Sequence, residues 1–417
     1  MEVVYTRCCG LDVHKKSISA CILIREKGKE EKLERRFGTF TGELEELAEW
    51  LEQHEVSMVA MEATGVYWKP VWNVLEGRLD LLLANPEQVK ALRGRKWDRR
   101  DAGRLAEFLQ HGLLQGSYIP TPEIRQLRDR TRNRARVVQE SVRIQNRIQK
   151  VLEDANLKLS SVASDVLGVS GRKMLRQLAD GEMDAAKLAE LAMGKLKSKK
   201  ALLRQALTGK ITAHHQRMLD KLLRALQTRE AEIAEDEADI RQQIVPFQAA
   251  VQAWMQLPGV EEITAWSLVA EMGPDMVPFP SADQAASWAC VCPGNNESAG
   301  KQRDGRTRKR NPWLRRAICE AAWGASRTKK SYFHAEYKRI QARRGPERAL
   351  LAVAHSMIIV GYYLVKDQLR YQDLGVDFFD RRNREHAKRR ALKRLVSLGY
   401  KVTLEEIPVA AHGLAPE

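Results

Sequence analysis

The sequence predicts an α/β domain with a mixed sheet at its N-terminal end, then a basic helical region and a mostly α C-terminal part. Three observations carry this expectation. Five β-rich or apolar runs (VVYTRCCGLDV, SISACILI, KLERRFGTF, VSMVAMEAT and LDLLLANP) lie between residues 3 and 86, and the later ones alternate with amphipathic stretches. Pro120 and Pro122 close that pattern, and helical periodicity takes over from Glu123. The charge is strongly positive, with 70 Lys and Arg against 54 acidic residues in 417, a net +16.

Taken in order, the first three runs read as strands, with Gly28 marking a hairpin between the second and third. Leu44, Leu47, Ala48 and Leu51 have helical spacing. VSMVAMEAT has the length of a buried strand and carries Glu62 near its end. Val66 to Glu76 reads as a helix, LDLLLANP as another strand, and residues 92 to 109 as a helix holding Asp98 and Asp101. Glu123 to Leu157 is expected to form one long helix, with nine Lys/Arg against three acids over residues 123 to 150. Shorter helices are expected at 165–178 and 184–196. Residues 213 to 256 read as a single long helix. Leu219, Leu226, Ile233 and Ile240 repeat at seven there, but the second seam position turns polar after Leu222. A half-apolar seam argues for a helical hairpin or a short interprotomer contact rather than a long isolated coiled coil. LPGVEEITAWSLVAEMG (257–273) has the form of a helix-hairpin-helix, equally readable as a plain interhelical turn. The expected domains are therefore 1–120, 121–256 and 257–417.

The basic balance, with a pI near 9.6, points to nucleic acid as a partner. A membrane is excluded as the expected setting: LLAVAHSMIIVGYYLV reads as a core helix, too short and interrupted to span. Cys8, Cys9, Cys21, Cys290, Cys292 and Cys319 include no C-x-x-C pair, so reduced thiols in a cytoplasmic protein are expected.

The acidic residues suggest chemistry. Asp12 falls at the end of the first strand, Glu62 at the end of the fourth, and Asp98 and Asp101 three residues apart on a helix. Two carboxylates on one helical face repel unless a cation lies between them. Alone, Asp-x-x-Asp is an ordinary solvated face; four carboxylates at element boundaries of one α/β unit suit metal-assisted attack on a phosphodiester. Oxygen donors favour Mg2+ (or Mn2+) over zinc. Arg95 and Lys96, among other basic neighbours, would face the polyanion.

GLDVHKKS (10–17), MEATGVYW (61–68), NPEQVKALRGRKWDRRDAGRLAEFL (85–109) and LPGVEEITAWSLVAEMG resemble the DEDD transposases of bacterial insertion sequences over nearly the whole chain. That resemblance implies an RNase H-like (RuvC-like) N-terminal domain joined to a C-terminal transposase domain. It also implies that Asp12, Glu62, Asp98 and Asp101 form the DEDD tetrad, that a coiled-coil insertion serves dimerisation, and that a bridge RNA guides recombination. In this family a catalytic serine precedes a Gly- and Lys-rich loop and an Asn-x-x-Leu-Arg helix start. Ser298, Gly300, Lys301, Gly305, Asn311, Leu314 and Arg315 match; Ala299 and Arg310 stand where Gly is commoner.

The residues read independently agree in kind. Residues 292 to 316 are a Gly-containing loop with eight Lys/Arg after Gly300. A serine there is a loop residue unless something activates it, after which nearby cations would hold a phosphate. Lys301, Arg303 and Arg306 are candidate contacts, as are Arg308, Lys309, Arg310 and Arg315. Arg132 and Arg136 are candidates on the long basic helix. Residues 381 to 394, with eight Lys/Arg and one Glu, add a third basic segment.

The function expected is RNA-guided recombination of insertion-sequence DNA. The resemblance implies a phosphoserine intermediate at Ser298 and magnesium at the carboxylates. The partners are donor and target DNA and a guide RNA. Sharing a composite site between protomers would need a homodimer, and exchange on two duplexes a tetramer. The alternatives are a RuvC-like junction nuclease without a covalent intermediate, and a non-enzymatic nucleic-acid scaffold.

Overall fold

A computed structural model describes residues 2–26, 28–63, 65–86, 89, 101–292, 296–298, 301–304 and 311–403. The chain divides into two compact units, Met1–Pro120 and Thr121–Glu417.

The first unit is built on a five-stranded mixed sheet: β1 (Arg7–Val13), β2 (Ile18–Glu26), β3 (Lys29–Phe37), β4 (Met58–Glu62) and β5 (Asp80–Ala84), in the order β3-β2-β1-β4-β5. β2 is antiparallel to β1 and β3, whereas β1, β4 and β5 are parallel. This is the arrangement of an RNase H-like fold. Gly28, at φ +80°, turns the β2–β3 hairpin. Alternation decides which face each side chain takes. Leu11, Val13, Ile18 and Ile22 pack with Leu44, Leu47 and Leu51 of helix α1 (Thr41–Gln53) and with Val71 and Leu75 of α2 (Trp68–Leu75). Cys8, Cys21, Leu23 and Ala60 take the other face, under Leu105, Ala106 and Leu109 of α3 (Asp101–Gln110). The sheet is thus covered on both faces, as its parallel half requires.

In the second unit the helix Pro122–Asp154 lies against the helix Ala213–Gln243. The pairs Arg130–Asp239, Asn133–Asp236, Arg134–Glu237 and Arg229–Glu140 run in opposite senses along the two helices, so they are antiparallel. Leu219, Leu222 and Leu226 are buried against Leu175, Leu188 and Leu203 of the short helices between. The apolar seam is therefore filled by its own chain over that stretch. The sequence-based helix at 213–256 is in fact two. Pro246, lacking an N–H, falls in a one-turn 3-10 segment, Val245–Phe247, and a second helix runs Gln248–Met255. The helix expected at 184–196 shrinks to Ala185–Glu190 plus the 3-10 segment Gly194–Lys199. The C-terminal core gathers Trp254, Trp266, Ile318, Phe333, Val353 and Met357 from helices between Gln248 and Lys366. Pro346–Lys366 does have the length and apolarity to cross a membrane, unlike the shorter run read from sequence, yet half of its apolar stretch is buried in this core.

Candidate functional site

Asp12 and Glu62 are placed by strand register. β1 and β4 pair in parallel up to Leu11–Met61, and Asp12 and Glu62 are the residues that follow on the two strands. Both lie on the face of Gly10 and Ala60, which α3 covers. Asp101 is the first residue of α3. It shares with Asp12 an open cleft that Ser19, Glu34 and Arg36 also line. α3 reaches this position because Gly10 has no side chain: a β-carbon there would stand 2.2 Å from the Ala102 carbonyl oxygen and 2.5 Å from the Ala106 nitrogen. Asp12 and Asp101 thus line one cleft, and Glu62 ends the neighbouring strand β4. Asp98, Arg95 and Lys96 lie outside the described residues.

Asp12 is about one quarter exposed, and its Oδ2 lies 3.1 Å from His14 Nε2. Glu34 and Arg36, opposite Cys21 and Ser19 on β3, went unnoticed in the sequence. Their signal was the period-two pattern of a strand whose charged residues face the cleft. The donors are all carboxylate oxygens, the type that magnesium or manganese takes. Among the described residues, no group of three His, Cys, Asp or Glu side chains is drawn together closely enough to hold an ion. Carboxylate donors of this kind suit a hard divalent cation.

Around the serine, two strands replace the loop expected from the glycines. Asn296–Ser298 (β6) pairs antiparallel with Lys301–Asp304 (β7), and Ser298 faces Lys301 in the last pair before the turn. Residues 299 and 300, between the two strands, lie outside the described residues. Ser298 therefore stands at the tip of a hairpin, with Lys301 and Arg303 on its return strand. Arg306, Arg308, Lys309 and Arg310 lie outside the described residues. Asn311 caps the helix Pro312–Arg327, its Oδ1 accepting from the Leu314 N–H at 3.1 Å. Arg315 is half-buried on that helix, hydrogen-bonded to Cys319. Ser331, a weaker candidate nucleophile, caps the next helix instead, accepting from the His334 N–H.

Arg132 is half-buried and Arg136 exposed, and each contacts a side chain of the helical body. Arg132 donates to both oxygens of Glu271, Nε to Oε1 at 2.6 Å and Nη2 to Oε2 at 2.8 Å. Arg136 stacks on Trp313, its Cζ 5.3 Å from the ring centroid. Glu271 was missed in the sequence; its signal was a lone acid in the apolar run AWSLVAEM. The turn at Pro258–Gly259 joins two helices as expected, but its Gly259 is pressed on the helix Pro312–Arg327. A β-carbon at Gly259 would stand 2.3 Å from the Ala321 carbonyl oxygen.

Residues 9–157 match a family model described as a transposase, of the DEDD IS110 type. Residues 251–338 match one described as transposase, IS116/IS110/IS902 family. The first match contains Asp12, Glu62, Asp98 and Asp101, the second Glu271, Ser298 and Asn311, and together they cover more than half of the chain. No curated protein matches it.

Proposed function

The chain belongs to the IS110 family of transposases, and from that premise we propose that it recombines insertion-sequence DNA through a phosphoserine intermediate at Ser298, guided by an RNA. The observation that supports the nuclease half is the cleft that Asp12 and Asp101 line together, with Glu62 ending the strand next to that of Asp12. With Asp98 they would hold a magnesium ion, which supplies charge neutralisation for a phosphodiester and lowers the pKa of an oxygen nucleophile when bound.

Ser298 supplies the attacking oxygen. Its Oγ–phosphorus bond forms as a phosphorus–deoxyribose oxygen bond breaks; the hydroxyl proton passes to a base and the leaving sugar oxygen takes up a proton. A free sugar hydroxyl of the exchanging strand then attacks the phosphoserine, restoring the serine hydroxyl. The phosphate bond is conserved throughout, so strand joining needs no further energy source. Lys301 and Arg303, on the strand paired with that of Ser298, are the residues best placed by sequence to meet phosphate oxygens. Target choice would come from RNA–DNA base pairing, with the protein reading backbone and shape.

The test is a denaturing gel of the protein purified with its RNA, incubated with Mg2+ and labelled donor DNA. A labelled band of protein-plus-DNA size, lost in Ser298→Ala, supports the reading. Nicked DNA without an adduct in either protein would instead identify a carboxylate-only junction nuclease.

A further inference from the structure

Glu271 is the most deeply buried carboxylate among the described residues, at 2% exposure. A buried carboxylate is tolerated only when paired and hydrogen-bonded. Here the partners come from two directions. From the basic helix Pro122–Asp154, Arg132 makes its two-pronged contact, and Arg128 Nε lies 3.6 Å from Oε2. Arg128 also donates to the carbonyls of Ala270 and Glu271, at 2.9 and 3.0 Å. From the other side, Asn311 Nδ2 donates to Oε2 at 3.0 Å.

Asn311 is where the segment bearing Ser298 rejoins the helical body. Each of its polar groups is engaged: Nδ2 by Glu271, Oδ1 by the Leu314 N–H, the carbonyl by the Arg315 N–H at 3.2 Å, and its own N–H by Cys290 Sγ at 3.3 Å. Cys290 lies just before that segment, in the left-handed region at φ +57°. The residues flanking the segment are therefore joined to each other, and their junction is fixed to the basic helix through one carboxylate. Arg136 on Trp313 holds the same helix start a second time, one helical turn further along the basic helix.

We infer that Glu271 and Arg132 are positioning residues for Ser298, an inference that rests on the serine reading above. They fix the residue at which the segment bearing Ser298 rejoins the helical body, and through it they bear on the approach of Ser298 to a phosphodiester. Arg132 then acts through Glu271 rather than by touching phosphate. A displacement of about 1 Å in a reacting group can lower a rate about a hundredfold without loss of binding.

The test measures the single-turnover rate of adduct formation at saturating donor DNA, together with the DNA Kd at several salt concentrations. It uses the full-length protein with its co-purified RNA. Glu271→Gln keeps the size and an acceptor but removes the charge. It should form adduct about ten- to a hundredfold more slowly, with Kd and its salt dependence unchanged and thermal melting near wild type. Arg132→Gln should behave alike, and Arg132→Lys should recover part of the rate. A wild-type rate in Glu271→Gln overturns the inference. So does an Arg132→Gln protein with a normal rate at saturation but a salt slope reduced by about 0.9, the signature of one lost phosphate contact. If Glu271→Gln does not fold, Trp313→Leu decides. It releases the same helix start from Arg136 without stranding a charge: a slowed rate supports the inference and a normal one overturns it. Failure of the serine reading shows separately, as adduct or joined product persisting in Ser298→Ala.

Discussion

Gly10 lies directly beneath Ala102: a β-carbon on the glycine would come within 2.2 Å of the alanine carbonyl oxygen. The obstacle is helix backbone, which cannot swing aside as a side-chain end can. This contact sets the height of α3 over β1, and with it the approach of Asp101 to Asp12. Gly10→Ala should therefore destabilise the protein by about 1–3 kcal/mol, as overpacking a tight contact does. It should also suppress DNA cleavage by displacing Asp101. Urea unfolding and a cleavage assay read the two effects; an unchanged midpoint with full activity would remove Gly10 from this role.

The carboxylates should act as one unit on metal and separately from nucleic-acid affinity. Asp12→Asn, Glu62→Gln and Asp101→Asn are each expected to abolish recombination while leaving RNA binding within about twofold, since each removes a donor charge and little volume. Removing metal with EDTA should silence the wild type, and Mg2+ or Mn2+ should restore it. An Asp101→Asn protein with wild-type turnover and an unshifted Mg2+ requirement would strike Asp101 from the site.

The sheet, and the strand ends at which Asp12 and Glu62 stand, were legible because they rest on local pattern. β1 reads as a β-rich run, β4 as a short apolar run, and Asp12 and Glu62 stand where those runs stop. What escaped depends on long-range geometry or on one local breaker. Pro246 divides the helix expected over 213–256: the heptad repeat of Leu and Ile runs up to Ile240, and the proline's missing N–H breaks the helix just beyond it. The Ser298 hairpin was read as a loop because three glycines outweigh two very short strands. The partners of Arg132 and Arg136 come from residues about 140 and 180 positions away, so neither contact shows in a one-helix charge count.

Leu226 tests whether the seam of the helix Ala213–Gln243 belongs to the chain itself. It is fully buried beside Leu219 and Leu222. Leu226→Ala should lower stability by about 2–5 kcal/mol through the cavity it leaves. Because the surrounding side chains are intramolecular, the loss should be the same at low and high protein concentration. A loss that vanishes on dilution would place the seam between protomers, as the coiled-coil expectation had it.

Glu336 gives a pH-dependent prediction with a definite sign. It is buried on the helix Tyr332–Arg344; Ser356 Oγ donates to its Oε1 at 2.9 Å, and its Oε2 has no hydrogen-bond partner among the described residues. Burial raises its carboxyl above the usual value, with the Ser356 hydrogen bond and the nearby Arg339 opposing. In the window between the unfolded and the raised folded pKa, the folded state binds more protons than the unfolded one, so this residue makes stability fall as pH rises. Below the window both states are protonated and the effect is absent. Glu336→Gln keeps an acceptor for Ser356 and cannot ionise. It should be more stable than wild type at neutral pH by on the order of 1 kcal/mol, and the difference should shrink towards pH 4. Thermal melts of the two proteins at both pH values measure this. A variant less stable than wild type at neutral pH, with no change of the gap on acidification, would mean that the ionised carboxylate is held favourably.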